Sequence, residues 1–438
     1  MQLLDQVDSS DADVEDAHTV GKAILLQPLG DRHSEAVVSA EHVAHACHQN
    51  AHVEQDTGMD VTDELEARLR RFPAERYPVQ RATTLFHLGL VLSGQDPPRA
   101  EDVLSESAQL FMRSGLEVEA AKAANALGAV LRDLGRPAEA VAAFRRAAEG
   151  LPPGSAERAA ALFNLGLVTR DGALLSEARE AFAALGARRE EASAARELGA
   201  LLLEQGDVPG AVALLERAVE RAESAGDAAS LGAAANAAGL AYLAAGRGSD
   251  AIDVLRRATA AHPRSIRPEQ HAMAKANLAL AYERAGNSRR ARLAAKQARA
   301  VPGVPTPVRR QAEETLARLG DAAGDLPSLL DEESRESWPA LIREEAVRWA
   351  EADADSLRDE ARAWVTAQDG SRAEALLGAL LEVPPAAMQR VLDAVLAAGT
   401  EATRAELERA SSLFHAPQEL RVRELIARWE ERRSSQAI

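Results

Sequence analysis

The chain has few aromatic residues and almost no cysteine for its length. Aromatic residues make up 3% of the 438 residues although 46% are hydrophobic, so the core has to be built from Ala, Leu and Val in close helix–helix contacts. The single cysteine, Cys47, excludes an intrachain disulfide framework and favours a reducing, cytoplasmic compartment. No uncharged apolar stretch approaches the roughly 18 residues of a membrane span, so no membrane association is expected.

Catalytic and nucleotide-binding signatures are also missing. The sequence has no Gly-x-Ser-x-Gly, no His-Glu-x-x-His, no phosphate-cradling glycine loop and no dinucleotide fingerprint. His42, His45, His48 and His52 would share one side of a helix with Cys47, but their spacing matches no established zinc pattern. We therefore expect a protein that is not an enzyme, with no catalytic residues, no metal site and no cofactor.

Charge is distributed unevenly along the chain. The net charge of −17 lies at the two ends: residues 1–58 carry 11 acids against 2 bases, and 304–438 carry 26 against 17. Residues 59–303 carry 31 acids and 32 bases. Binding to a phosphate backbone needs clustered positive charge, so no nucleic-acid partner is expected. The chain has 47 arginines and 4 lysines, which we interpret as the codon bias of a GC-rich, bacterial genome.

A short pattern recurs through the middle of the chain at intervals of 33–40 residues. Its centre is a pair of residues that ends in a small one, in six copies: Leu88-Gly89, Leu127-Gly128, Leu165-Gly166, Leu198-Gly199, Ala238-Gly239 and Leu278-Ala279. Seven residues after the small residue, four copies carry glycine: Gly135, Gly206, Gly246 and Gly286. Twelve residues after it, five copies carry alanine: Ala140, Ala178, Ala211, Ala251 and Ala291. Such a period predicts stacked helical hairpins.

The offsets have a physical explanation. Two helices approach closely only where one of them presents almost no side chain, so the small residue marks the helix crossing and the alanine faces it. The glycine between them suits the left-handed residue that ends the first helix. Pro152 and Pro263 then end the second helix of their hairpins.

These residues resemble the tetratricopeptide repeat family over roughly residues 82–302. The copy from Asn125 through Gly135, Ala140 and Phe144 to Pro152 is the closest match, and units of 38–40 residues are similar to the longer-helix variety of the family. The resemblance implies an all-α, right-handed solenoid of antiparallel helix hairpins, followed by further C-terminal helical hairpins.

Three regions are predicted along the chain. Residues 1–58 form an acidic, weakly ordered segment with six of the ten histidines, and Met59 is an alternative start of the native protein. Residues 59–303 form the solenoid of about six repeats, which ends at a proline-rich stretch. Residues 304–438 form an all-helical region, either degenerate repeats or a small bundle, that holds all four tryptophans and includes a predicted capping box of Ser371 and Glu374. The tryptophans either pack this region or form an exposed docking patch.

In the family that the repeats resemble, the first helices line a concave groove. This implies a set of groove residues, each expected to be at least partly exposed, in which asparagine amides would pair with a bound peptide backbone. The alternative is a solvated face, bonds within the solenoid, or core packing. The candidate residues are Asn125, Asn164, Asn236, Asn277, Lys122, Arg196, Phe86 and Phe163.

Two functions remain open from the sequence. The first is a non-enzymatic scaffold that binds a peptide segment or helix of another protein in the concave groove. The alternative is a regulatory receptor whose solenoid changes curvature when a small peptide or metabolite binds, and so controls an effector. The sequence defines neither the partner nor the oligomeric state.

Overall fold

The computed structural model describes residues 61–320 and 323–436, and the acidic segment 1–58 with its histidines lies outside these residues. Within the described residues, secondary structure consists of 21 α-helices and one short 3-10 helix, without strands. The all-α prediction is therefore confirmed. The chain divides into two compact units, unit 1 ending at Ala245 and unit 2 beginning at Gly246.

Unit 1 contains ten helices in the part of the chain that the structure describes. They are α1 (Val61–Arg71), α2 (Pro78–Leu92), α3 (Pro97–Arg113), α4 (Glu117–Asp133), α5 (Pro137–Gly150), α6 (Ala156–Thr169), α7 (Gly172–Ala184), α8 (Arg188–Glu204), α9 (Val208–Ala225) and α10 (Ala228–Ala244). Consecutive helices from α2 to α10 pack against each other as antiparallel hairpins.

Unit 2 begins with helices of the last two repeats and continues into the C-terminal region. Its helices are α11 (Gly248–Ala261), α12 (Pro268–Arg284), α13 (Ser288–Arg299), α14 (Thr306–Leu319), α15 (Asp325–Leu330), α16 (Trp338–Glu351), α17 (Ala354–Ala367), α18 (Gly370–Leu381), α19 (Pro385–Ala398), α20 (Glu401–Ser411) and α21 (Ala416–Gln436). A 3-10 turn at Arg335–Ser337 precedes α16.

Each hairpin of unit 1 closes where a glycine of the first helix meets a side chain of the second. A Cβ atom added to Gly128 would lie 2.6 Å from the ring of Phe144, and one added to Gly199 would lie 2.6 Å from Leu215. No side chain fits at such distances, so only glycine allows this approach. The alanines predicted to face the crossings, from Ala140 to Ala291, are 0% exposed. The predicted register is confirmed.

The turns between paired helices follow the glycine pattern where the sequence has it, and the first and third hairpins lack the glycine. Gly135 and Gly206 have φ angles of 73° and 86°, in the left-handed region that favours glycine. The third hairpin lacks this glycine, and Arg170 takes the left-handed conformation with φ 54° instead. Helix α6 therefore ends early, at Thr169, and Asp171 caps α7 by accepting backbone N–H bonds from Ala173 and Leu174.

The C-terminal helices of unit 2 pack in two rows around one apolar core. Helices α16, α18 and α20 pack in sequence as one row, and α15, α17, α19 and α21 form the other. The core includes Trp349 and Trp364, both 0% exposed, with many leucines and valines. Helix α13 of the last repeat packs against α14, α15 and α16, so this repeat belongs to the same compact unit as the C-terminal helices. The boundary between the two compact units lies at 245/246, and the domain boundary predicted at 303/304 stays a prediction.

Candidate functional site

The first helices form the inner layer of the hairpin stack in unit 1. Besides packing on its own second helix, α2 packs on α4, α4 on α6, and α8 on α10. Second helices of neighbouring hairpins do not pack on one another to the same extent. The resemblance described above implies that the free face of the first helices is the concave one. We call this face of α2, α4, α6, α8 and α10 the inner face.

In α2 and α4, the accessible positions of the inner face lie six and two residues before the crossing residue and one residue after it. In α4 these are Lys122, Ala126 and Ala129, which are half-buried while the residues between them are buried. The equivalent half-buried residues of α2 are Thr83, His87 and Leu90. Burial and the nearby charge of Arg68 lower the pKa of His87, so its ring is neutral at pH 7.

The four asparagines predicted to line the groove are buried. Their exposed fractions are 6% for Asn125, 7% for Asn164, 6% for Asn236 and 1% for Asn277. The prediction that they are at least partly exposed is therefore wrong, because close stacking covers these positions of the first helices. Their part in binding a partner stays a prediction.

Two of these amide groups are used for bonds between first-layer helices. Asn164 Nδ2 donates to Asn125 Oδ1 at 3.2 Å, which joins α6 to α4 in unit 1. In unit 2, Gln311 Nε2 of α14 donates to Asn277 Oδ1 of α12 at 2.9 Å. Buried amides need such partners, since an unsatisfied polar group is costly in an apolar interface. These asparagines thus connect neighbouring hairpins.

The two cations predicted to add positive charge to the groove are engaged by acids. Lys122, with 38% of its side chain exposed, has its Nζ 3.4 Å from Glu157 Oε1. Arg196 is 7% exposed and lies 2.8 Å from Glu197 Oε1. Each cation is therefore compensated by a carboxylate of the same face.

The two phenylalanines predicted for the groove contribute to packing. Phe163 is 5% exposed and meets Phe182 edge to face, with ring centroids 6.5 Å apart. Phe86 is half-buried and packs against the apolar core of unit 1. Of the two rings, only that of Phe86 retains substantial access to solvent.

Unit 2 contains a buried network of charged side chains that the sequence analysis missed. Lys296 Nζ of α13 lies 3.3 Å from Glu360 Oε1 of α17 and 3.8 Å from Asp325 Oδ2 of α15. Arg348 of α16 donates to Glu345 and to Glu360, both at 2.7 Å. The network joins the last repeat to three C-terminal helices.

The network is nearly closed to solvent, and its charges balance. The exposed fractions of Lys296, Asp325, Glu345, Arg348 and Glu360 are between 1% and 5%. Arg292 supplies the third cation by donating to Asp325, and Gln297 Nε2 donates to Glu345 at 2.9 Å. We call these seven side chains the buried charge network.

The charge state of Glu360 depends on its partners. Burial alone would raise the pKa of this carboxyl, but the charges of Arg348 and Lys296 and the N–H bond from Gly324 outweigh that effect. The pKa of Glu360 is therefore held below its ordinary value. Glu360 is therefore an anion at neutral pH, and its negative charge compensates the positive charges of Arg348 and Lys296.

The tryptophans of unit 2 mostly pack its interior. Trp338 is 8% exposed, and Trp349 and Trp364 meet edge to face with ring centroids 6.0 Å apart. Trp429 is half-buried, with the Arg433 guanidinium 5.3 Å from its ring centroid. Packing therefore accounts for three of the four, and an exposed patch does not form from them.

Residues 61–320 and 323–436 contain neither a metal-binding cluster nor a membrane-spanning helix. No group of three or more His, Cys, Asp or Glu side chains there has a geometry that could hold a metal ion. None of the helices in those ranges is both long and apolar enough to cross a bilayer. The cluster of His42, His45, Cys47, His48 and His52 lies outside the residues that the structure describes.

The hairpins, their glycine crossings and their stacked first helices define a helical-repeat protein. Sequence profiles of the tetratricopeptide repeat match residues 90–156, 190–264 and 236–305. The chain therefore contains tetratricopeptide repeats, as the resemblance implied. Repeats of this family generally mediate protein–protein interactions.

Solved structures with a similar arrangement include yeast Tom70 and BtubC from P. vanneervenii. The first has 15% identity and a TM-score of 0.36, over 59% of this chain and 57% of that one. The second has 16% identity and a TM-score of 0.29, over 60% of this chain and 90% of that one. The chain thus spans little more than half the length of the Tom70 structure. No curated protein matches the sequence.

Proposed function

We propose that the inner face of unit 1 binds a segment of another protein, and that the chain acts as a non-enzymatic scaffold. The observation that carries this proposal is the row of accessible side chains at one offset in the first helices α2, α4 and α6. One residue after the crossing, Leu90, Ala129 and Leu167 are half-buried, although each has an apolar side chain. A continuous apolar row on a concave face suits a bound segment, because the bound chain covers the row.

The buried asparagines support this face indirectly. They hold the first helices at a fixed separation, so the accessible residues keep their spacing. From the lone cysteine we also propose a cytoplasmic location, so the partner should be a protein of the cytoplasm. The regulatory receptor remains the alternative, and a ligand-dependent change of the radius of gyration in small-angle scattering would distinguish it.

The test compares the same substitution on the two sides of one hairpin. Ala129→Gln adds a neutral, helix-compatible side chain to the inner face at a half-buried position. Ala142→Gln adds it to the exposed outer side of α5. The full chain and both variants are used to capture partners from the source organism, with quantitative mass spectrometry and a thermal melt of each bait.

We expect the partners captured by the parent chain to be lost with Ala129→Gln and kept with Ala142→Gln. Equal capture by both variants would place the binding elsewhere and refute the proposal. Loss with Ala142→Gln alone would indicate the outer surface. Unchanged melting temperatures ensure that either result reports binding.

A further inference from the structure

Two rows of acidic side chains border the inner face in three successive repeats. Nine residues before the crossing lie Glu119, Glu157 and Glu190, and five residues after it lie Asp133, Asp171 and Glu204. All six are half-buried or exposed. The repeats before and after these three have no acid at either position: Gln80, Gly94, Ser230 and Ala244 stand there. We call these six residues the acidic rows.

The acidic rows are only partly neutralised by the chain itself. Within the described residues, Glu119 and Glu190 have no ion-pair partner, and Asp171 is used as a helix cap. The others meet one cation each: Glu157 meets Lys122, Asp133 meets Arg132 and Glu204 meets Arg170. Solvent-exposed pairs of this kind contribute little, so a partner's cations can compete for the same carboxylates.

The part of the inner face between the two acidic rows is a band of mostly small or apolar residues, and a few residues in it are polar. Its accessible members include Ala126, Ala129 and Leu167, whereas Glu197 is paired with Arg196. In α4 and α8 the two rows are 14 residues apart along the helix, which corresponds to about 21 Å, whereas Asp171 lies just beyond the end of α6. A bound α-helix can turn an apolar stripe towards the band and carry cations on both flanks of that stripe, towards the two rows. In an extended chain successive side chains point to opposite faces, so it cannot present this arrangement.

We infer that the segment bound by the inner face is a basic amphipathic helix that crosses α4, α6 and α8. Its apolar stripe covers the central band, and its lysines or arginines pair with the acidic rows. This inference rests on the proposed function and adds the chemistry of the partner. It also rejects an acidic peptide or a terminal carboxylate as the ligand, because Lys122 is engaged by Glu157 and the borders of the face are anionic.

The experiment uses three synthetic peptides of about 21 residues, long enough as a helix to span about 30 Å. The first has leucines on one helical face and lysines elsewhere. The second has the same leucines with glutamates, and the third has the composition of the first in a scrambled order. Each is labelled and titrated with the full chain at physiological salt, and binding is followed by fluorescence anisotropy.

Two charge variants separate the inner face from the overall charge of −17. Glu119→Gln with Glu190→Gln removes two acids from the acidic rows. Glu149→Gln with Glu220→Gln removes two exposed acids from the second helices α5 and α9. Both double variants change the net charge equally, so a general attraction between a negative protein and a positive peptide affects them alike.

We expect the amphipathic lysine peptide to bind at least about tenfold more tightly than the glutamate and scrambled peptides. The inner-face double variant should weaken it about fivefold, and the outer double variant less than about twofold, as expected for two partly exposed ion pairs. Equal losses in the two double variants would overturn the inference. So would preference for the glutamate peptide. If that preference is sensitive to Ala129→Gln, the proposed function stands and only the chemistry of the partner is wrong.

Discussion

At the scale of single residues, the asparagines of the first helices have a different role in the structure from the one that the sequence predicted. The sequence showed a polar residue recurring near each crossing, which is compatible with either an exposed groove or a bond within the stack. The Asn125–Asn164 bond at 3.2 Å decides for the second, at least for this pair. The residues that remain accessible are their neighbours on the helix, such as Ala126 and Ala129.

Removing one member of the asparagine pair should destabilise unit 1. Asn125→Ala leaves the buried Asn164 amide without its acceptor, so we expect the free energy of unfolding to fall by about 1–3 kcal/mol. The double variant Asn125→Ala with Asn164→Ala should cost less than the two single changes added together, by about 0.5–1.5 kcal/mol. Urea denaturation of the four proteins measures this coupling. Strictly additive losses would mean that the bond does not form.

The glycine at the helix crossing should not tolerate even one methyl group. Gly128→Ala places a Cβ 2.6 Å from the ring of Phe144, which is 0% exposed and has no room to move. We expect a loss of about 1–3 kcal/mol in the free energy of unfolding, with part of it recovered by adding Phe144→Leu. Gly94→Ala is the control, since nothing lies within 4 Å of that position. A neutral Gly128→Ala would show that the register of this repeat is wrong.

At the scale of helices, sequence reasoning located the elements well and their ends less well. The helix predicted to begin with a capping box of Ser371 and Glu374 instead begins at Gly370, with Asp369 accepting a bond from Arg372 N at 2.9 Å. Asp and Ser are both good caps, so the choice depends on which backbone conformation the preceding turn allows. Arg170 is a similar case, because a left-handed arginine leaves no mark in the sequence.

The buried charge network should make helix docking in unit 2 depend on pH. The pKa of Glu360 lies below the ordinary glutamate value of 4.5, so the stabilisation from its charge is present above that value and is lost as the pH falls through the lower, folded-state pKa. Glu360→Gln should cost about 3–5 kcal/mol at pH 7, since Arg348 and Lys296 lose their shared anion.

The cost of Glu360→Gln should shrink steadily as the pH is lowered below 4.5, because protonated glutamate and glutamine are both neutral. Denaturant titrations of both proteins across this range test it. The exposed Glu374→Gln on α18 is the matched control and should have little effect at any pH. A cost that stays constant with pH would show that Glu360 acts by packing and not by charge.

At the scale of the whole chain, the repeating units were predictable and the tertiary network was not. Crossing glycines, left-handed glycines and buried alanines recur at fixed offsets. The helix hairpin can therefore be recognised several times within one sequence. Lys296 of the last repeat and Glu360 of α17 are 64 residues apart, and nothing in the sequence pairs them. The inner-face acids were visible as residues, but their exposure depends on how the first helices stack.

Damage in one unit should remain local, because each helix contacts mainly its neighbours along the stack. Lys296→Met leaves the buried Glu360 with one cation fewer, so amide hydrogen exchange should accelerate in α13 and in α15 to α17. We expect no change in α4 to α9. Gly128→Ala should accelerate exchange within α4 to α9 and leave α13 and α15 to α17 unchanged. Hydrogen-exchange mass spectrometry of both variants provides the comparison. Uniform acceleration along the chain in either variant would contradict local coupling.

The placement of the tryptophans gives the molecule an intrinsic optical label for one of its units. All four indole rings belong to unit 2, while the described part of unit 1 has no chromophore stronger than Tyr77 and Tyr242. Since three of the rings are buried, their emission should shift to longer wavelength when unit 2 opens to water. Circular dichroism responds to the helices of both units. Recorded on one unlabelled sample, the two signals would therefore diverge whenever the units melt at different temperatures.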